Sequence, residues 1–127
     1  MKFNNNKPIY LQIGDLLMES ILDGEYEEDN KIPSIREMAS LTQTNPNTVV
    51  RAYSSLLEKG VIYKKRGKGF FVKAEATKTI TSLKKKQFQE KELPRLFHLM
   101  EMLDFSLEEL QQEYKNYCTR IEKKGEL

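Results

Sequence analysis

The feature that most constrains the fold is the way helix-capping residues divide residues 8–60 into short amphipathic segments. Pro8 and Gly24 bracket the first segment, in which apolar side chains recur at helical spacing. Ser34, with Glu37 three residues later, has the pattern of a capping box and predicts a second, short helix. The capping residues therefore predict separate short helices in this part of the chain.

A third helix is predicted to begin soon after the second. Asn45 is a typical N-cap residue, Pro46 suits the first helical position, and Gly60 ends the pattern. Two short helices joined by a tight turn make a helix-turn-helix. The side chains expected to face inward from the second and third helices are Ile35, Met38, Ala39, Leu41, Val49, Ala52, Tyr53, Leu56 and Leu57.

A strongly basic stretch follows the third helix. Residues 59–73 contain six basic side chains and no acidic one, although the whole chain has 21 basic and 19 acidic residues. The runs VIYKK and GFFVK flank the turn KRGKG and predict a two-stranded hairpin, with Val61, Tyr63 and Phe71 packed on the helices. A focused positive patch is typical of phosphate binding, whereas a charge run considered alone is more often a solvated hairpin.

The pattern changes after residue 73. A long helix is predicted from about residue 75, kinked or split at Pro94, and Ser106 with Glu109 forms another capping box that opens a final helix. An apolar stripe at helical spacing runs along both helices and is too short to form an independent coiled coil. We expect it to mediate dimerisation through Leu96, Phe97, Met100, Leu103, Leu107, Leu110, Tyr114, Tyr117 and Ile121.

The predicted fold class is therefore mostly α-helical with a small β wing. Residues 1–73 are expected to form a winged helix-turn-helix DNA-binding domain, and residues 74–127 a helical dimerisation domain built from two helices.

Polar and basic side chains of the helix-turn-helix and the wing predict contact with double-stranded DNA. Short polar side chains at the start of the third helix can reach base edges in the major groove. Amide groups at the starts of the second and third helices and basic side chains of the wing can hold phosphates. For Ser34 and Thr48, helix capping alone is the alternative role. The candidate DNA-binding residues are Ser34, Arg36, Asn47, Thr48, Arg51, Lys65, Arg66, Lys68 and Gly69.

Other classes of protein are disfavoured by the composition. The single cysteine, Cys118, cannot form an internal disulfide, and the single histidine, His98, provides no cluster for a metal, so we expect neither metal nor cofactor. The chain has no P-loop or dinucleotide-binding motif, and we predict that it is not an enzyme. With no apolar run of membrane-spanning length and no signal-peptide pattern, the expected location is the cytoplasm.

Residues 8–73 resemble the winged-helix domain of GntR-family bacterial transcription regulators. The matching motifs are PSIREMA (33–39), NTVVRAY (47–53), LLEKGVI (56–62) and RGKGFFV (66–72), in the order and spacing of the family. The start KPIYLQI and the short tail resemble the YtrA-type subfamily. The residues that this resemblance implies to be DNA contacts are Ser34, Arg36, Asn47, Thr48, Arg51 and Gly69.

The same resemblance implies a homodimer that binds a pseudo-palindromic operator and represses its own operon, often one with ABC-transporter genes. It implies no dedicated small-molecule domain, and the sequence identifies no effector. Pro46 and Val50 stand where many larger family members carry arginine, so two strong base readers are absent. The alternative hypothesis is a winged-helix module that binds protein and has no specific DNA site.

Overall fold

The computed structural model describes residues 3–124, and its architecture is mostly helical with a two-stranded wing, which confirms the predicted fold class. One helical run is interrupted by a π-helical segment, Phe88–Glu92. The remaining elements, in chain order, are α1 (Ile9–Leu22), α2 (Ile35–Thr42), α3 (Pro46–Glu58), β1 (Ile62–Lys65), β2 (Gly69–Val72), α4 (Ala76–Gln87), α5 (Leu93–Leu103) and α6 (Leu107–Lys124).

The capping residues begin the helices where the sequence predicts. Before α2, the Ser34 Oγ accepts a hydrogen bond from the Glu37 amide, and the Glu37 carboxylate accepts one from the Ser34 amide. Asn45 caps α3 and Pro46 occupies its first position. Ser106 and its partner Glu109 form the same reciprocal pair before α6. Each cap satisfies amide groups that would otherwise have no partner at a helix start.

The backbone separates into two compact units, one ending at Lys84 and the other beginning at Lys85. The first unit contains the hydrophobic core. Ala76 and Ile80 of α4 are fully buried in this core, together with apolar side chains from α1, α3 and the hairpin. The predicted functional boundary between residues 73 and 74 stays a prediction. The largest fully buried side chains of this core are Tyr53, Ile13, Leu17, Ile32, Leu56, Ile62, Ile80, Val49, Val61 and Val72.

Two side chains expected in this core are instead exposed. Leu41 on α2 is 65% exposed, and its neighbour Thr42 is buried with its hydroxyl donating to the Met38 carbonyl at 2.7 Å. Leu57 at the end of α3 is 36% exposed. At Leu41 the prediction is wrong because α2 has barely two turns, and packing against neighbouring elements decides which side of so short a helix is buried. It is also wrong at Leu57, which lies in the last turn of α3 beside the buried Leu56.

The wing is an antiparallel pair in which Ile62 is opposite Val72 and Tyr63 is opposite Phe71. Ile62, Phe70 and Val72 are buried, whereas Tyr63 and Phe71 lie half-exposed with their rings stacked at a centroid distance of 5.7 Å. The burial of Val61 is as predicted, but the prediction that Tyr63 and Phe71 pack on the helices is wrong. Side chains alternate between the two faces of a strand, and these two belong to the face opposite the core.

The segment that precedes α2 is attached to β2. The Asp29 amide donates to the Val72 carbonyl at 2.8 Å, and the Val72 amide donates to the Asn30 carbonyl at 3.0 Å. The Ile32 amide donates to the Phe70 carbonyl, also at 3.0 Å. The start of α2 and the wing are therefore joined by backbone hydrogen bonds as well as by the core.

In the second unit, the π-helical segment immediately precedes the predicted interruption at Pro94. The Leu93 amide donates to the carbonyl of Phe88, five residues earlier. Proline has no amide hydrogen and its ring crowds the preceding turn, so a locally wider turn lets the helical run continue as α5. Among the helices of residues 3–124, none is both long and apolar enough to cross a bilayer.

Candidate nucleic-acid interface

The exposed face of α3 is polar and lies opposite the residues that anchor the helix. Val49, Ala52 and Leu56 are buried, whereas Asn47 and Arg51 are exposed, and Thr48 is half-buried. Positions i and i+4 of a helix lie on one face, so Asn47 and Arg51 are neighbours on the solvent side. An amide and a guanidinium on one helix face can form bidentate hydrogen bonds with base edges.

Val50 lies beside this polar face and is 42% exposed. Its exposure places an apolar group within the candidate interface, where thymine methyl groups are the matching feature of DNA.

The anchor that orients α3 is Tyr53. Its side chain is 1% exposed, its hydroxyl donates to the Pro33 carbonyl at 2.6 Å, and its ring meets that of Phe70 edge-on at 4.9 Å. Burial raises the pKa of the Tyr53 hydroxyl far above its usual range. Because Pro33 directly precedes Ser34, this one side chain connects α3 to both the start of α2 and the wing.

The start of α2 presents a hydroxyl, a guanidinium and free amides. Ser34 is half-buried, and its Oγ accepts from Glu37, which leaves the hydroxyl proton available to another acceptor. Arg36 is exposed in the first turn. Within the described chain, the amides of Ile35 and Arg36 make no hydrogen bond, so both can donate to a phosphate.

The start of α3 differs from that of α2. Pro46 has no amide hydrogen, the Asn47 amide donates to the Asn45 Oδ1 at 2.8 Å, and the Thr48 amide donates to the Asn45 carbonyl at 2.9 Å. The expectation that amides at both helix starts hold phosphates is therefore wrong for α3, because these groups already have partners.

A carboxylate lies close to the α2 start. Hydrogen bonds from the backbone and then the side chain of Ser34 hold the pKa of Glu37 below its ordinary value of 4.5. Glu37 is therefore ionised at neutral pH, and its carboxylate would repel a phosphate at this helix start, whereas the neighbouring Arg36 would attract one.

The turn of the wing carries three basic side chains. The Lys68 amide donates to the Lys65 carbonyl at 2.9 Å and closes the turn, from which Arg66 and Lys68 project into solvent. The Lys65 ammonium lies 4.8 Å from the centroid of the Phe71 ring. The hairpin thus places its charges at an exposed tip, with the lysine held against the aromatic face.

Gly69 has a structural role in the wing besides its candidate contact with DNA. Its φ is +115°, a conformation that side chains disfavour, and a Cβ built there would lie 3.1 Å from the Lys31 Cε. Gly69 therefore allows the chain to leave the turn and enter β2.

Tyr10 is a contributor to this surface that sequence reasoning missed. It belongs to the first turn of α1, and the Arg51 Cζ lies 4.2 Å from the centre of its ring. The two residues are distant in the sequence, and only the packing of α1 on α3 brings them together.

The second unit carries the predicted apolar stripe on its surface. Phe97, Leu103, Leu107, Tyr114 and Tyr117 are each more than half exposed, whereas Leu96, Met100, Leu110 and Ile121 are partly buried. An open groove of about 520 Å³ is lined by Leu96, Leu107, Leu110, Gln111 and Tyr114. Burial of this surface requires a further apolar partner, since the described unit does not cover it.

No group of three or more His, Cys, Asp or Glu side chains that could hold a metal occurs within residues 3–124.

Comparison with known proteins places this arrangement among bacterial regulators. The family model described as bacterial regulatory proteins, gntR family, matches residues 9–72. The HTH-type transcriptional regulator YhcF of Bacillus subtilis is 40% identical over 89 residues, which cover 70% of this chain and 73% of YhcF. The HTH-type transcriptional repressor YtrA of the same organism is 36% identical over 86 residues, which cover 68% of this chain and 66% of YtrA.

Solved structures show the same architecture. A GntR-family transcriptional regulator from Bacteroides thetaiotaomicron superposes with a TM-score of 0.80 at 44% identity, covering 88% of this chain and 97% of that one. The DNA-binding domain of AraR, crystallised with the operator ORX1, superposes with a TM-score of 0.53 at 26% identity, covering 56% of this chain and 92% of that one. The similar proteins are regulators, which confirms the prediction that the chain is not an enzyme.

Proposed function

This chain belongs to the GntR family of bacterial regulatory proteins, and from that premise we propose that it is a homodimeric repressor that binds a pseudo-palindromic operator in double-stranded DNA. The observation that carries the proposal is the exposed polar face of α3, where Asn47 and Arg51 project side by side from a helix held by the buried Tyr53. AraR, whose DNA-binding domain has the same fold, was crystallised with operator DNA.

Within this proposal, α3 enters the major groove. Asn47, Thr48 and Arg51 contact base edges or the adjacent phosphates. Ser34 and Arg36 hold a phosphate at the start of α2, with the help of its two free amides. The basic residues of the wing, Lys65, Arg66 and Lys68, neutralise backbone charge beside Gly69.

The second unit supplies the dimer contact in the same proposal. Its exposed stripe from Leu96 to Ile121 would be covered by the equivalent stripe of a second copy. A two-fold dimer presents two recognition helices to half-sites about 10 bp apart or a multiple of that distance.

We further propose that the protein acts in the cytoplasm and represses its own operon, with ABC-transporter genes among the targets. The repressor role is supported by the name of the relative YtrA, and the gene context by the subfamily resemblance.

The first test of DNA binding is a titration of the full chain with the duplex that lies upstream of its own gene, at 50 and 200 mM salt and with unrelated duplex as competitor. If six to ten phosphates are neutralised, the affinity is expected to fall about 10³- to 10⁵-fold between these two concentrations. A complex that resists the competitor at the lower concentration supports a sequence-specific regulator. If the chain binds the upstream duplex no more tightly than the unrelated duplex, the alternative of a protein-interaction module is favoured.

Two arginine variants locate the interface. Arg51→Ala is expected to weaken the specific complex by about 1–3 kcal/mol, the value of one good base contact. The free energy of unfolding should fall by no more than about 0.5–1 kcal/mol, the value of the exposed cation–π contact with Tyr10. Arg120→Ala removes the same charge from an exposed position of α6 and should leave the affinity within about twofold. Equal affinities of the two variants at matched salt would contradict the assignment of α3.

The dimer is tested separately by sedimentation equilibrium. The parent chain should sediment as a dimer, and Leu110→Glu should shift it to the monomer because a carboxylate would be buried in the apolar contact. Gln112→Glu on α6, at an exposed position outside the stripe, adds the same single charge and is the control. A parent chain that is monomeric at micromolar concentration would exclude this part of the proposal.

A further inference from the structure

Tyr10 contacts both the hydrophobic core and a basic side chain of α3. Its ring lies partly buried against the hydrophobic core at the start of α1, and one part of it faces the guanidinium of Arg51 on α3. The distance of 4.2 Å from the Arg51 Cζ to the ring centre is well inside the range of a cation–π contact. The exposed arginine of the candidate interface is therefore in contact with a fixed aromatic surface.

Arg51 has no competing partner within the described chain. Among residues 3–124, the salt bridges are Lys7–Asp15 and Lys78–Glu75, and no hydrogen bond from the Arg51 side chain occurs. An exposed arginine without a partner samples many rotamers, and ordering it on binding costs entropy. Here the tyrosine ring is the group that restricts it.

The kind of contact matters for recognition. A carboxylate partner would pair with the N–H groups that a base or phosphate needs, whereas a ring attracts the cation through its π electrons. The contact with Tyr10 therefore holds the guanidinium in place and leaves its donors without a competing acceptor.

We propose that Tyr10 is a positioning residue for DNA recognition, which acts by holding the Arg51 guanidinium against its ring before DNA arrives. This inference rests on the proposed function and deepens it. Tyr10 is part of the recognition apparatus although it belongs to α1, outside the helix-turn-helix. Its effect on affinity depends on the presence of Arg51.

The test is a double-mutant cycle on the full chain. The probe is a duplex selected by the parent protein from a library with a randomised 40-bp centre, so that no operator need be known beforehand. Dissociation constants for this duplex are measured for the parent, for Tyr10→Leu, for Arg51→Ala and for the double variant. Tyr10→Phe, which keeps the ring and removes the hydroxyl, is the conservative control.

The expected pattern distinguishes positioning from a general structural role. Tyr10→Leu should weaken binding about two- to fivefold, the equivalent of one exposed cation–π contact. Tyr10→Phe should bind as the parent does. In the Arg51→Ala background, Tyr10→Leu should cause no further loss. The slope of log affinity against log salt should be unchanged by Tyr10→Leu, since that substitution removes no charge.

Several outcomes would overturn the inference. A loss from Tyr10→Leu that is equal in the parent and Arg51→Ala backgrounds would show that Tyr10 acts independently of Arg51. A loss from Tyr10→Phe as large as that from Tyr10→Leu would show that the hydroxyl itself contacts DNA. If thermal melting shows that Tyr10→Leu is unfolded at the assay temperature, Tyr10→Met takes its place in the cycle. If the selection enriches no duplex, the proposed function itself is contradicted. Failure of the proposed function can therefore be distinguished from failure of the inference about Tyr10.

Discussion

The hydroxyl of Tyr53 offers a direct test of how α3 is held in place. Replacement by Phe keeps the buried ring and its edge-on contact with Phe70 but removes the hydrogen bond to the Pro33 carbonyl. Within the described chain this carbonyl has no other donor, so the substitution leaves a half-buried acceptor without a partner. The loss of a hydrogen bond contributes about 0.5–1.5 kcal/mol and an unsatisfied buried group about 1–3 kcal/mol. Because Pro33 is only half-buried, we expect a total of about 1–2 kcal/mol.

A matched control is provided by Tyr63. Its hydroxyl donates to the Asp29 carboxylate at 2.8 Å, but at an exposed position where water replaces the lost bond. Tyr63→Phe should therefore leave the urea midpoint close to that of the parent. Both variants lose one oxygen atom, so the difference between them isolates the effect of burial.

The assay is urea unfolding followed by circular dichroism, with thermal melting as a second measurement. Tyr53→Phe should lower the urea midpoint without changing the slope m, and should lower Tm by about 4–8 °C for each kcal/mol lost. Equal midpoints for Tyr53→Phe and Tyr63→Phe would refute the argument that the buried hydroxyl anchors α3.

The pH dependence supplies an independent check. Burial raises the pKa of Tyr53 above its ordinary value of 10.0, so the folded protein holds this phenolic proton more tightly than the unfolded chain. The corresponding stability is fully present below pH 10 and is lost as the pH rises above that value. The alkaline loss of stability should be smaller in Tyr53→Phe than in the parent.

Three further substitutions test local features of the fold. Hydrogen bonds from Ser34 lower the pKa of Glu37, so the stability that the Glu37 carboxylate contributes is present above pH 4.5 and is lost as the pH falls below that value. In urea unfolding at pH 3–7, Glu37→Gln should therefore show a smaller loss of stability with falling pH than the parent. Gly69→Ala should destabilise the chain by about 1–2 kcal/mol in thermal melting, since its φ is +115° and the new Cβ would crowd Lys31; an unchanged Tm would contradict this. Gln43 ends α2 with φ +54°, a conformation that glycine adopts more readily, so Gln43→Gly should raise the free energy of unfolding by about 0.5–1 kcal/mol. A loss of stability in this variant would show that the glutamine side chain contributes more than its backbone conformation costs.

The local signals in the sequence were sufficient to place the helices. Capping depends on residues two or three apart in the chain, and the caps at Ser34, Asn45 and Ser106 are all where the sequence predicts them. The interruption predicted at Pro94 takes the form of a π-helical turn just before it. A missing amide hydrogen requires a local adjustment, but the sequence does not specify which one.

Features that depend on packing between elements were harder to predict. The hairpin is apolar on both faces near Ile62 and Tyr63, so periodicity alone could not decide which face is buried. Thr42 can be buried in place of Leu41 because its hydroxyl finds the Met38 carbonyl one turn earlier. Spacing along α3 predicted that Arg51 projects into solvent, but the ring of Tyr10 beside it follows only from the packing of α1.

The attachment of residues 29–32 to β2 has a consequence for behaviour at high protein concentration. A strand edge with unpaired backbone groups is a template on which another chain can add a strand, and such edges promote aggregation. Here the preceding segment occupies the outer edge of β2, which leaves β1 as the edge of this small sheet. That strand has only four residues and carries Lys64 and Lys65, so its length and charge both oppose pairing between molecules. The wing can therefore project into solvent without becoming a nucleus for intermolecular sheets.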